Sequence, residues 1–80
     1  MTERLKFEGR LGELTREAQK LRLRLESTRD GLRDALDPTV EVDGLDSERV
    51  FDLALQFRDL AVSLEKVKQG ISKTKKALGQ

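Results

Sequence analysis

The sequence predicts an all-α protein, an antiparallel two-helix hairpin that packs as a coiled coil. Apolar residues recur at alternating intervals of four and three, and this repeat occurs twice, once on each side of an acidic loop. The spacing averages 3.5 residues, which keeps one stripe of a helix against a partner. Sixteen of the eighteen stripe positions are apolar. We call these positions the seam: Phe7, Leu11, Leu14, Ala18, Leu21, Leu25, Thr28, Leu32 and Ala35 before the loop, and Val50, Leu53, Phe57, Leu60, Leu64, Val67, Ile71, Thr74 and Leu78 after it.

The first helix is expected over about residues 3–36. Thr2 has the side chain of an N-cap residue, because its hydroxyl can accept a hydrogen bond from the first helical turn. Pro38 ends the helix, since proline disfavours α geometry in the residue before it. At about 1.5 Å per residue, this helix is roughly 50 Å long.

The second helix is expected over about residues 46–78. Asp46 is the predicted N-cap, and Glu48 adds a negative charge to the first turn, where the helix dipole favours it. Gly79 follows the last seam residue and is suited to ending the helix. The two helices are therefore nearly equal in length.

Residues 37–45 form the acidic loop between the helices, with Asp43-Gly44 as its expected tight turn. Nine residues are enough to reverse the chain. Antiparallel pairing then places Ala35 opposite Val50, and the register continues in layers to Phe7 opposite Leu78. An exchange of helices between two chains is an open alternative to the hairpin. Four glycines fall outside the seam: Gly9, Gly12, Gly31 and Gly70.

Composition limits the function classes. Eighty residues allow one domain, covering residues 1–80. The chain has 16 Lys and Arg against 15 Asp and Glu, and it has no cysteine, histidine, tryptophan or tyrosine. Without a thiol or an imidazole, and without the concave site that a globular fold provides, neither nucleophilic nor general acid–base catalysis is expected. The sequence thus predicts a protein that is not an enzyme and that uses no cofactor and no metal ion.

The hydropathy of the chain predicts a cytoplasmic protein. Its longest uninterrupted apolar runs are three residues, at 53–55 and 60–62. A membrane-spanning helix needs about 20 predominantly apolar residues, and a secretion signal needs an apolar segment of about 7–15. Neither is expected here, so no contact with a membrane is predicted.

Several apolar residues outside the seam suggest self-association. Phe51, Leu55 and Val62 share the back of the second helix, so the half of this helix near the loop is apolar nearly all round. A lone hairpin buries only one side of a helix. The expected result is a homodimer that forms a four-helix bundle at the loop end. The alternative is that these are ordinary exposed apolar residues. The predicted self-association residues are Leu23, Leu36, Phe51, Leu55 and Val62.

The charges of the hairpin are unevenly distributed. One end, opposite the loop, carries a run of lysines without an acid, which could bind the phosphates of a nucleic acid or an acidic protein. A solvated helix face whose cations favour the C-terminal dipole also explains them. No aromatic residue is interleaved in this run. We call these five residues the basic end: Lys66, Lys68, Lys73, Lys75 and Lys76.

Asp37, Glu41 and Asp43 form a possible acidic tip at the loop. Their spacing does not match an EF-hand, which requires acids at alternate positions, a central glycine and a terminal glutamate. Loop solubility and helix capping are sufficient reasons for these acids. No calcium or magnesium site is therefore predicted.

Two resemblances follow from these motifs. The break Leu36-Asp37-Pro38, the restart Leu45-Asp46-Ser47-Glu48-Arg49-Val50 and the segment Ala54-Leu55-Gln56-Phe57 resemble uncharacterised helical-hairpin proteins of Mu-like bacteriophages and prophages. That resemblance implies a phage or prophage origin and carries no activity. In outline, a coiled coil with an acidic tip is similar to the transcription factors that enter the secondary channel of bacterial RNA polymerase. That similarity implies that Asp37, Glu41 and Asp43 occupy the tip that enters the channel.

The sequence therefore predicts a non-enzymatic coiled-coil interaction or scaffold protein that self-associates and binds a further, unidentified protein. The alternative is a protein that binds nucleic acid or the transcription machinery through the basic end or the acidic tip.

Overall fold

The fold is a pair of long antiparallel helices. A computed structural model describes residues 2–79, with side chains from residue 3 onward. Helix α1 spans Thr2–Ala35 and helix α2 spans Ser47–Ala77, which confirms both predicted helices to within one residue at each end. The predicted cap by the side chain of Thr2 lies outside the described side chains. The helices form a rod of 62 × 16 × 14 Å.

The seam holds the two helices together. Ala18, Leu21, Leu60 and Leu78 are the buried apolar residues, at 1–9% exposure. Seventeen of the eighteen seam positions are buried or half-buried, as the spacing predicts. The exception is Phe57, which is 37% exposed.

The two seam threonines are buried with their hydroxyls satisfied by their own helix. Thr28 Oγ1 donates to the carbonyl of Arg24, and Thr74 Oγ1 donates to the carbonyl of Gly70, both at 2.8 Å. A buried hydroxyl without a partner would be costly, so this bond explains how a polar residue occupies a seam position.

Two close contacts between the helices establish their register. A Cβ on Gly31 would lie 3.5 Å from a methyl carbon of Leu53, and a Cβ on Gly70 would lie 3.4 Å from one of Leu14. These contacts are adjacent to the expected layers that pair Leu32 with Leu53 and Leu14 with Ile71. Gly31 and Gly70 lie outside the seam positions, and a leucine of the facing helix is within contact distance of each.

Hydrogen bonds fix the loop between the helices. Asp37 Oδ1 accepts from the backbone N–H of Thr39 at 2.9 Å and from its hydroxyl at 2.7 Å. A short 3₁₀ turn over Val42–Gly44 follows, and it includes the predicted turn at Asp43-Gly44. Asp46 then caps α2 by accepting from Arg49 N–H at 3.1 Å, as predicted. At the other end of α2, Gly79 takes a positive φ of 77°, which suits glycine as the residue that ends the helix.

None of the helices described over residues 2–79 has an apolar stretch of the length needed to cross a lipid bilayer.

Candidate functional site

A second row of side chains runs along α2, on the outside of the hairpin. Phe51 is 63% exposed, Leu55 39% and Val62 49%. With Arg58, these residues are spaced by four, three and four, so they share one face of the helix. We call Phe51, Leu55, Arg58 and Val62 the outer row. It contains three of the five residues predicted to mediate self-association.

Small residues connect the outer row with the seam. Ala54 and Ala61 are exposed and lie three residues before and four residues after Phe57 on the same side of α2. Their short side chains leave the Phe57 ring partly uncovered, while the opposing seam layer holds the small Thr28. The prediction that Phe57 is buried in the seam is therefore corrected, because 37% of this residue is exposed.

The other two predicted self-association residues lie on or beside α1. Leu23 is 66% exposed, and Leu36, which follows the last residue of α1, is 49% exposed. They are separated by 13 residues, which is roughly 20 Å along the helix axis. They are consequently two separate apolar positions and not one patch.

The outer row contains a shallow cleft and a charged group. Phe51, Ala54, Leu55 and Arg58 line a cleft of about 230 Å³. The guanidinium of Arg58 lies 3.5 Å from Asp59 Oδ1, with side chains 71% and 67% exposed. Such a solvated pair between neighbours holds its partners weakly, so the guanidinium can exchange to another carboxylate at little cost.

The lysines of the basic end are all exposed. The three ion pairs found among residues 3–79 join Arg4 to Glu8, Arg29 to Asp30 and Arg58 to Asp59. None of these pairs includes a lysine of the basic end. Their positive charge is thus presented to solvent over the described part of the chain.

An aromatic ring lies beside the basic end, which sequence reasoning missed. Phe7 is half-buried, and together with Arg10 and Lys73 it lines a groove of about 190 Å³ between the helices. Phe7 precedes Lys73 by 66 residues, so only the antiparallel register could have indicated that they are neighbours. Proteins that bind single-stranded nucleic acid combine aromatic rings, which stack on the bases, with cationic side chains, which contact the phosphates.

The residues of the acidic tip differ in their roles. The hydrogen bonds from the Thr39 backbone and hydroxyl lower the pKa of Asp37, whose carboxylate fixes the loop. Glu41 and Asp43 are exposed, and between them Val42 is 85% exposed. No group of three or more acidic side chains among residues 3–79 is arranged to hold a metal ion. The proposed contact of this tip with RNA polymerase stays a prediction.

A groove of about 570 Å³ lies along the other edge of the seam from Ala54 and Ala61. Its lining includes buried Leu21, Thr28 and Leu60, with Glu17 and Asp59 also present. The Thr28 hydroxyl already donates to the Arg24 carbonyl. The groove thus has the polar lining of a solvated coiled-coil edge.

Comparison with protein-family models, with curated proteins and with solved structures finds no match for this chain. The resemblance to hairpin proteins of Mu-like phages therefore stays a prediction.

Proposed function

We propose that this protein is a non-enzymatic coiled-coil interaction or scaffold protein that self-associates through the outer row of α2. The observation that carries this proposal is the exposure of Phe51, Leu55 and Val62 along one face of a helix whose other face is already occupied by α1. Adjacent exposed large apolar residues mark interaction surfaces more often than scattered ones do. A homodimer joined here is a four-helix bundle near the loop.

The composition of this surface suits a close helix contact. Ala54 and Ala61 allow another helix to approach, while Phe51 and Leu55 supply the apolar area that such a contact buries. Fully burying a phenylalanine or leucine side chain contributes about 1.5–3 kcal/mol relative to exposure. Because the three residues are already partly covered, each contributes less than that, and we expect association to depend on protein concentration.

Sedimentation equilibrium over an approximately 100-fold concentration range tests the proposal, with circular dichroism on the same samples. The wild type should be a helical dimer at the upper concentrations. Phe51→Glu and Leu55→Glu should each give a helical monomer, because a carboxylate replaces buried apolar area. Leu5→Glu is the matched control, since Leu5 is 68% exposed near the opposite end of the rod. A wild type that is monomeric throughout would contradict self-association.

A phage or prophage source and a cytoplasmic location belong to the same proposal. They rest on the sequence motifs around residues 36–57 and on the lack of a long apolar run.

A second candidate function is binding of single-stranded nucleic acid at the basic end. It is favoured by the position of Phe7 beside Arg10 and Lys73 in one groove. Cations neutralise phosphates, and an aromatic face can stack on a base. This function could coexist with self-association, because the basic end and the outer row use different residues.

Fluorescence anisotropy with a labelled single-stranded oligonucleotide tests this candidate at several salt concentrations. Affinity should fall steeply with salt, because binding releases counterions. Lys73→Glu should weaken binding more than Lys20→Glu, which changes an exposed lysine of α1 outside the groove. Phe7→Leu should weaken the binding of a single strand more than the binding of a duplex. An absence of binding at low salt would exclude this function.

A further inference from the structure

We infer that the loop of one copy binds the opposite end of a second copy, so that copies join head to tail. The contact places Val42 of the loop against Phe7, in the groove that Arg10 and Lys73 also line. It uses no residue of the outer row and therefore goes beyond the self-association proposed above.

Charges of opposite sign collect at the two ends of the rod. Residues 34–48 contain six acids and no cation, whereas residues 66–80 contain five lysines and no Asp or Glu. Lys73 follows Asp46 by 27 residues, which is about 40 Å along α2. The Debye length at physiological salt is about 8 Å. The two ends therefore cannot neutralise each other within one chain.

Neither set of charges is paired within the described part of the chain. The acids of the three ion pairs found among residues 3–79 are Glu8, Asp30 and Asp59, so no acid of residues 34–48 takes part in one. The lysines of the basic end take part in none either. A second molecule can therefore pair with either set without breaking an ion pair that already exists.

The tip of the loop carries an apolar side chain between two carboxylates. Val42 is 85% exposed, more than any residue of the outer row. Glu41 and Asp43 adjoin it, and neither side chain takes part in the hydrogen bonds that hold the loop, which are made by Asp37 and Asp46. These three residues can therefore enter a contact that leaves the structure of the loop unchanged.

The groove at the other end has the complementary composition. Phe7, Arg10, Gly70, Lys73 and Thr74 line its volume of about 190 Å³, and no carboxylate is among them. The Thr74 hydroxyl already donates to the Gly70 carbonyl, so an apolar occupant leaves it satisfied. A ring beside two cations matches a valine between two anions, because apolar area is buried while opposite charges meet. A single strand of nucleic acid would use the same groove, so the two occupants would exclude each other.

The charges also select the direction of association. Two loops in contact would bring together the acids of both copies, and two basic ends would bring together their lysines. Opposed like charges are costly, so only contact between a loop and a basic end is favourable. Such a contact is heterologous and leaves each pair of copies with a free loop and a free basic end. Association then continues into an open chain unless the rotation closes a ring.

Sedimentation equilibrium of the wild type at about 20 mM and about 500 mM salt tests the contact, because salt screens charges on the surface. At low salt the mean mass should exceed that of a dimer and rise with protein concentration. At the highest protein concentration we expect it to be at least about twice the mean mass at high salt.

Charge reversal at each end identifies the residues in contact. Glu41→Lys with Asp43→Lys reverses the tip, and Arg10→Glu with Lys73→Glu reverses the groove. Each double variant alone should lose the low-salt association, because like charges then meet at the contact. An equimolar mixture should regain it, since every contact between the two variants opposes unlike charges.

Two further variants control for net charge and for apolar contact. Glu17→Lys with Glu26→Lys changes the net charge by the same amount as reversal of the tip, at exposed positions in the middle of α1, and should still associate. Val42→Ser keeps all the charges and should weaken the low-salt association by roughly three- to tenfold, because it removes apolar area from the contact. Circular dichroism should show unchanged helicity in every variant.

The outcomes separate the head-to-tail contact from the outer row. Low-salt assembly that either reversal abolishes and mixing restores supports the contact, and a monomer at high salt would then overturn the outer row alone. An equal mean mass at both salt concentrations overturns the contact, while a dimer that Phe51→Glu dissociates would still support the outer row. Assembly that survives reversal of the tip, or that the Glu17 and Glu26 control abolishes equally, also overturns the contact.

Discussion

Leu14 of α1 lies over the backbone of Gly70 of α2, where a Cβ would be 3.4 Å from the leucine Cδ1 atom. Leu53 of α2 has the same relationship with Gly31 of α1, at 3.5 Å from Cδ2. The two contacts lie toward opposite ends of the seam. Because glycine carries no side chain, each leucine can approach the facing helix closely at these points.

The first prediction concerns these glycines. Gly31→Ala should stabilise the fold by up to about 1 kcal/mol, because alanine raises helix propensity and its Cβ meets Leu53 at an ordinary contact distance. Gly31→Leu should be destabilising, since the longer side chain would have to occupy the space that Leu53 fills. Urea unfolding monitored by circular dichroism measures both.

Gly9→Ala is the matched control, since nothing lies within 4 Å of a Cβ at that position. It should show the gain from helix propensity alone, and Gly9→Leu should retain most of that gain. Equal effects of leucine at positions 9 and 31 would show that the packing of Leu53 over Gly31 has no energetic consequence.

The second prediction compares two leucines that are two residues apart on α1. Leu21 is 5% exposed in the seam, whereas Leu23 is 66% exposed. Leu21→Ala should cost about 2–5 kcal/mol of unfolding free energy, because it removes buried apolar volume and leaves a cavity. Leu23→Ala should change it by no more than about 0.5 kcal/mol. Thermal unfolding at one low protein concentration measures the difference. Similar losses of stability for both variants would contradict the conclusion that Leu21 stabilises the hairpin through its burial in the seam.

The sequence predicted the helices well and their lateral packing less well. The 3.5-residue repeat determines which stripe of each helix faces the other, and Pro38 and Asp46 mark the helix ends locally. Gly31 and Gly70 each precede a seam residue by one position, and the repeat alone does not show how closely the facing leucine approaches there. The exposure of Phe57 likewise depends on the small size of its neighbours along α2 and across the seam, which the repeat does not specify.

The candidate surfaces were predictable to different degrees. The outer row could be found from sequence, because Phe51, Leu55 and Val62 share one helix and its period. The groove of Phe7 and Lys73 could not be found from local spacing, because its residues come from opposite ends of the chain. Only the antiparallel register brings them together.

The third prediction concerns the start of α2. Asp46→Ala should cost about 1 kcal/mol, with a range of about 0.5–2, because the Arg49 N–H loses the carboxylate that it donates to at 3.1 Å. Asp43→Ala removes the same charge from an exposed loop position and should change stability by no more than about 0.5 kcal/mol. Urea unfolding at neutral pH makes this comparison. A larger loss for Asp43→Ala would indicate that the acidic tip is important for folding.

The fourth prediction concerns the pH dependence of the loop. The Thr39 backbone N–H and then its hydroxyl lower the pKa of Asp37 below the value near 3.9 that an unfolded aspartate has. The contribution of this carboxylate to stability is therefore complete above about pH 4 and is lost as the pH falls through the lower folded value. Asp37→Asn should remove this part of the acid dependence.

Thr39→Val separates the two hydrogen bonds to Asp37. It removes the hydroxyl donor at 2.7 Å and leaves the backbone donor at 2.9 Å, so the pKa of Asp37 should rise only part of the way toward its ordinary value. Thr15→Val is the control, because the Thr15 hydroxyl donates to the Leu11 carbonyl within α1, away from the loop. NMR titration of the Asp37 carboxyl carbon measures the change. An unchanged pKa in Thr39→Val would mean that the backbone N–H alone accounts for the lowering.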